Sequence, residues 1–93
     1  MIHHIIVKWN GEADKISLAK EVRDLFAEAT EIEGINKVEI KDNIIPRENR
    51  YDIMIAVHMD EDALPGLDAS ALHKKWKAEY VCMIEKKCIF DCE

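Results

Sequence analysis

ASALHKKWKAEYVCMIEKKCIFDC, residues 69–92, holds a helix and a strand end to end. Leu72, Trp76, Tyr80, Met83 and Ile84 recur at helical spacing, with lysines and glutamates in the gaps, so the stretch opens as an amphipathic helix. Asp68 or Ser70 stands where a helix needs a side-chain cap. The end, Cys88 to Cys92 (CIFDC), loses that spacing and reads as a short strand entered directly from the helix. A strand in that position needs a sheet to join, and its expected partner is the strand that opens the chain.

That opening strand is Ile2 to Trp9, IHHIIVKW. It is rich in β-branched and aromatic residues, and both of its faces are largely apolar, as in a strand covered on both sides. His3, Ile5, Val7 and Trp9 share one face; Ile2, His4, Ile6 and Lys8 share the other. Asn10-Gly11 breaks the run. Leu18, Val22, Leu25, Phe26 and Ala29 then mark an amphipathic helix capped by Asp14 or Ser17. Gly34 ends it or lies in the loop after it. Ile35 to Ile44 alternates, with Ile35, Lys37, Glu39 and Lys41 on one face and Val38 and Ile40 on the other, as in a half-covered strand near an edge. Pro46 to Arg50 is a polar loop. Tyr51 to Met59 (YDIMIAVHM) is a second well-buried strand, and Glu61 to Leu64 makes a helical turn broken by Pro65-Gly66.

The order is β-α-β-β-α-β, which folds as a four-stranded antiparallel sheet with two helices on one face. The class is α+β, ferredoxin-like. The opposite sheet face would then leave Ile2, Ile6, Met54, Ala56 and Ile89 bare, an aggregation hazard that face-to-face packing of two sheets removes. A homodimer through the sheet face is therefore expected, with the lysines, Glu39 and His58 at its rim.

Ninety-three residues form a single domain, 1–93, with a small core. A net charge of −6 argues against nucleic-acid binding, which needs a basic stripe. No apolar run reaches the roughly 18 residues of a membrane span, so no membrane partner is expected. The N-terminus enters a strand with neither a basic n-region nor an apolar h-region, and the expected location is cytoplasmic. The three cysteines form no disulfide set: Cys88 and Cys92 on one strand would lie roughly 13 Å apart. They read as reduced and buried. Neither a cofactor motif nor a metal-ligand set is present in the spacing.

His73 lies one turn before Trp76 and two before Tyr80 on the same helix stripe. A neutral imidazole there can take a proton from an acidic C–H or a phenol, and Tyr80 can donate a hydrogen bond to an enolate oxygen. The bland reading keeps His73 at the flank of the stripe and the two aromatics in the core. His3 and His4 point to opposite faces, so they cannot serve one site together. If His3 faces the helices, it meets His73 across the sheet–helix cavity.

The whole chain, Ile2 to Cys92, resembles the stress-responsive dimeric α/β barrel (Dabb) domain. The matching pieces are IHHIIVKW, EGINKVEI, NIIPRENRYDIMIAV and LHKKWKAEYVCMIEKKCIFDC. The resemblance implies the same fold, with the sheets of two subunits closing a barrel. The family includes olivetolic acid cyclase, which folds a linear polyketide by aldol chemistry. Counting back from the tail, His73 falls on the last histidine of that enzyme's His-Pro-x-His segment, where Ser70 and Ala71 replace the first two residues. His3, or His4 in a shifted register, falls on the first-strand histidine. Ile53 stands at the third-strand histidine and Leu67 at the active-site tyrosine.

Two functional readings follow. One is a dimer that binds a small hydrophobic molecule in a sheet–helix pocket near His73, lined by Trp76, Trp9, Ile53 and Leu67. The other is a cofactor-free isomerase, lyase or cyclase using His73, His3 (or His4) and Tyr80 on a carbonyl or phenolic substrate. An open interior favours the enzyme; closure by Trp9, Phe26, Met59, Trp76 and Phe90 favours a filled core without turnover.

Overall fold

The computed structural model describes residues 1–93. Four strands, β1 (Ile2–Trp9), β2 (Ile35–Asp42), β3 (Ile53–Met59) and β4 (Ile84–Cys92), form one antiparallel sheet in the order β2-β3-β1-β4. The opening strand pairs with the closing one, as expected, with Ile2 opposite Cys92 and Ile5 opposite Ile89. The helices are α1 (Lys15–Phe26), α2 (Leu64–Ala69) and α3 (Ala71–Glu79). Side chains alternate strictly along β1, so His3, Ile5, Val7 and Trp9 are buried against the helices. Ile53, Ile55, Val57 and Met59 of β3 complete that layer.

Local chemistry explains the helix limits. Asp14 caps α1 by accepting the Ser17 backbone N–H at 3.2 Å, which also holds its carboxyl below the usual carboxylate range. Ser70 both ends α2 and caps α3, its hydroxyl accepting the His73 N–H at 3.1 Å. Gly34 lies in the loop before β2 with φ 87°, a conformation that favours glycine.

Several boundaries differ from those expected. The tail helix stops at Glu79, a 3-10 turn covers Val81–Met83, and β4 starts at Ile84 rather than Cys88. Met83 and Ile84 continue the helical spacing, but Asn10 N–H donates to the Met83 carbonyl at 2.8 Å and Ile84 pairs with Trp9, which extends the sheet instead. Pro65-Gly66 does not break a turn; it sits inside α2, because proline in a first helical turn loses no hydrogen bond. Ile35 is buried and turns inward like the half-buried Val38 and Ile40, rather than facing outward with the lysines. A bulge between Ile35 and Lys37 switches the phase of β2 there. Ile44 lies beyond the strand and is exposed.

The helix-facing interior is filled. Trp76 is enclosed by Trp9, Phe26 and Tyr80, with ring centroids 6.2, 5.4 and 5.7 Å away, and Met59 is buried in the same cluster. Phe90 takes no part in this closure. It pairs with His4 and so lies on the opposite sheet face, 58% exposed. Ile89, opposite Ile5, points to the helix side instead. The apolar part of the open face is therefore Ile2, Ile6, Met54 and Phe90; Ala56 faces the same way but is already covered by its neighbours, 4% exposed. All three cysteines are free, but Cys82 and Cys88 are exposed and Cys92 is half-buried, so none belongs to the core of the protomer. No helix is long and apolar enough to cross a membrane.

Candidate functional site

His3 and His73 line one hollow of about 250 Å³ between the first turn of α3 and the β1–β4 edge of the sheet. Trp76 forms part of its wall, and Asp68, Lys87 and Asp91 supply the remaining charge. Each histidine arrives there for a local reason. The pleat of β1 turns His3 toward the helices, and the Ser70 cap sets the start of α3, which places His73 three residues later on the inner flank.

His3 is the one buried polar side chain, 8% exposed. Burial of an imidazole is tolerated because its Nδ1 faces Asp91 Oδ1 at 2.5 Å, across the β1–β4 pair that puts the two residues directly opposite. A ring nitrogen against a carboxylate carries the proton, which leaves Nε2 of the neutral ring as a hydrogen-bond acceptor or base. His73 is less constrained. Its side chain is 23% exposed, and Nε2 stands 4.0 Å from Asp68 Oδ1, close enough for attraction and too far for a hydrogen bond.

The other expected site residues are elsewhere. Tyr80 ends α3 on the far side of Trp76, its ring buried and its hydroxyl donating to Glu21 at 3.4 Å. Burial, then the nearby Glu21 carboxylate, pushes that hydroxyl above the ordinary tyrosine value. Trp9 and Ile53 line a different hollow. The register explains this: Ile53 sits opposite Val7, four residues along β1 from His3, a span of roughly 13 Å. Leu67 turns inward from α2 and is buried in the core. His4 lies on the open face, with Nδ1 3.2 Å from the Phe90 carbonyl and 4.0 Å from Cys92 Sγ. His58 also lies there, 2.7 Å from Glu39 Oε1. That hydrogen bond, followed by the charge of Lys37, lowers the Glu39 pKa.

Asp91, Asp68 and Lys87 were not among the expected site residues. The signal for Asp91 is the β1–β4 register: once Ile2 is set against Cys92, His3 must face an aspartate. Asp68 and Lys87 carry no sequence signal that separates them from surface charge. No three His, Cys, Asp or Glu side chains converge as a metal-binding group.

Neither a family model nor a curated protein matches the sequence. Solved structures match it in shape. A dimeric protein of unknown function with a ferredoxin-like fold, from Bacteroides fragilis NCTC 9343, has a TM-score of 0.82 at 16% identity, over 99% of this chain and 93% of that one. A Dabb family protein with a ferredoxin-like fold, from Mesorhizobium loti, has a TM-score of 0.74 at 16% identity, over 99% and 93% of the two chains. A hydroxynitrile lyase from Passiflora edulis has a TM-score of 0.74 at 8% identity, over 96% and 87%. At these identities the likeness is one of fold: the chain has the ferredoxin-like α+β architecture of a set of proteins that includes several described as dimeric and a Dabb family protein, in keeping with the resemblance read from its sequence.

Proposed function

We propose that residues 1–93 act as one domain, paired through the open sheet face, that binds a compact hydrophobic molecule with one polar end beside His73. The observation that carries this reading is the convergence of His73, Trp76 and the His3–Asp91 pair on one hollow. The hollow lies just below the usual ligand-pocket range of about 300–1,000 Å³, so the ligand is small, of the size of a substituted phenol or a short carbonyl compound. Trp76 supplies an apolar wall, and the imidazoles supply hydrogen-bonding groups for the polar end. The three free thiols suit a reducing compartment such as the cytoplasm.

The His3–Asp91 pair favours a second reading, in which the same pocket is catalytic. A carboxylate-oriented imidazole is a ready general base, and His73 across the hollow can serve as its acid partner in a cofactor-free isomerase, lyase or cyclase. Titration with small phenols and aromatic aldehydes, followed by tryptophan fluorescence, tests binding. His73→Ala should abolish the response without changing the oligomeric state seen by native mass spectrometry. A response unchanged in that variant overturns the site. Turnover of a bound aldehyde or its cyanohydrin, lost in both His73→Ala and Asp91→Asn, would establish the second reading.

A further inference from the structure

A second hollow is about twice the size of the one beside His73. It has a volume of about 510 Å³ and lies between α1 and the opposite end of the sheet, and it shares no lining residue with the histidine pocket. Its floor is apolar, made by the buried side chains of Trp9 and Ile53. One wall is Ile16, which is 87% exposed. A large aliphatic side chain on the first turn of α1 is left in water, although the helix has a complete inward stripe without it.

The rim is charged in a biased way. Lys15, Lys20 and Arg23 face the hollow together with only two carboxylates, Asp42 and Asp52, so its lining carries net positive charge in a chain whose total is −6. Both carboxylates are engaged structurally. Asp52 accepts the Trp9 backbone N–H at 2.8 Å and lies 3.2 Å from Lys15 Nζ, tying β3 to β1 and α1. Asp42 accepts from Arg23 Nη2 at 2.6 Å and the Ala19 carbonyl from Nη1 at 3.4 Å, which holds the guanidinium over the hollow and leaves three of its five N–H groups free. Lys20 reaches only Asp24, at 3.4 Å, and is well exposed.

We propose that this hollow is a second binding site, for a small organic carboxylate with an apolar body. The apolar part would lie on Trp9 and Ile53 under Ile16, and the carboxylate would meet Arg23 and Lys20. Guanidinium suits this role because it binds carboxylates in a fixed fork geometry. Each cation already faces one carboxylate, so a purely apolar ligand would leave only the spare N–H groups of Arg23 and Lys20 unused, and a polyanion would meet Asp42 and Asp52. The chemistry therefore selects one negative charge on an apolar frame.

Sodium octanoate and octan-1-ol are suitable probes, titrated separately into the full chain and followed by amide and indole shifts in two-dimensional NMR. Octanoate should saturate, moving Ile16, Ala19, Lys20, Asn43 and the Trp9 indole together. Octanol should bind the same place more weakly. Arg23→Gln should weaken octanoate about tenfold, the size of one charge-assisted hydrogen bond, and leave octanol unchanged. Ile16→Ser changes an exposed residue, so the fold survives, and it should weaken both probes. The proposal is overturned if octanoate does not saturate in the millimolar range, or if the shifts centre on His3 and His73 or on the open sheet face. It is equally overturned if Arg23→Gln weakens acid and alcohol alike, which would mean that Arg23 only shapes the hollow.

Discussion

If the open sheet face pairs two copies as proposed, replacing Phe90 by alanine should loosen that dimer without unfolding the protomer. The ring stands on the open sheet face, 58% exposed, beside His4 at a centroid distance of 6.2 Å. A phenylalanine offers about 200 Å² of surface, so roughly 120 Å² of it awaits cover. At about 25 cal/mol per Å², full cover is worth about 3 kcal/mol per copy, and symmetry counts it twice. Taking half of that for incomplete cover leaves about 3 kcal/mol for the pair, or roughly a hundredfold in the dimer dissociation constant. Sedimentation velocity over a concentration series reads that constant directly. Thermal unfolding of the variant at a concentration where it is monomeric checks the protomer, which should lose little because the ring packs on no core residue. A wild-type monomer would refute the reasoning, as would a Phe90→Ala dimer as tight as the wild type, since either would mean that this face is not the one that pairs.

Gly34→Ala should destabilise the protein by about 2 kcal/mol, since φ there is 87° and a Cβ would sit 2.8 Å from that of Ala63. A calorimetric midpoint within a degree of the wild type would contradict it. Glu39→Gln tests the sheet-face pair with His58. The folded pKa of Glu39 is lowered, so its contribution is present above the unfolded value of about 4.5 and is lost as pH falls through the folded one. The variant should melt below the wild type at pH 7, and the gap should close toward pH 3; a gap independent of pH would exclude that linkage. The Tyr80 pKa is raised, so its neutral form stabilises the fold fully below about pH 10, and that stabilisation is lost as pH rises through the folded value. Absorbance titration of a Tyr51→Phe variant should place the Tyr80 midpoint above 10, and a midpoint at or below it would deny the effect of burial.

What could be read from the chain is what strand alternation controls. The two faces of β1 and β3 follow from a period of two over long apolar runs, so it was legible that His3 and His4 face opposite ways; which of them turns to the helices was not, because both faces of β1 are largely apolar. The end of α3 was not, because Met83 and Ile84 fit the helix stripe as well as the strand, and only pairing with Trp9 decides between them. β4 is an edge strand with most residues exposed, so its apolar pattern could not fix its phase, and Ile89 and Phe90 were placed on each other's faces. The same uncertainty hid Asp91. A bulge near Asn36 is one unpaired residue with no composition signal, and it turned Ile35 inward. Trp9 and Tyr80 were legible as large inward-facing aromatics, but their distance from His73 depends on which end of the sheet each occupies.

The sheet order has a consequence for how the molecule is made. Of the four strands β1 leaves the ribosome first, and it ends up between β3 and β4, with Ile2 against both His58 and Cys92. Its neighbours are therefore the third and fourth of the four to be synthesised. Until then a strand apolar on both faces waits with unpaired backbone groups, the condition under which nascent chains associate wrongly or call on chaperones. Folding is committed only when the tail arrives, so a chain cut short before Ile84 would leave β1 with a bare edge and His3 buried without Asp91. Such a product would be expected to aggregate rather than persist as a smaller stable domain.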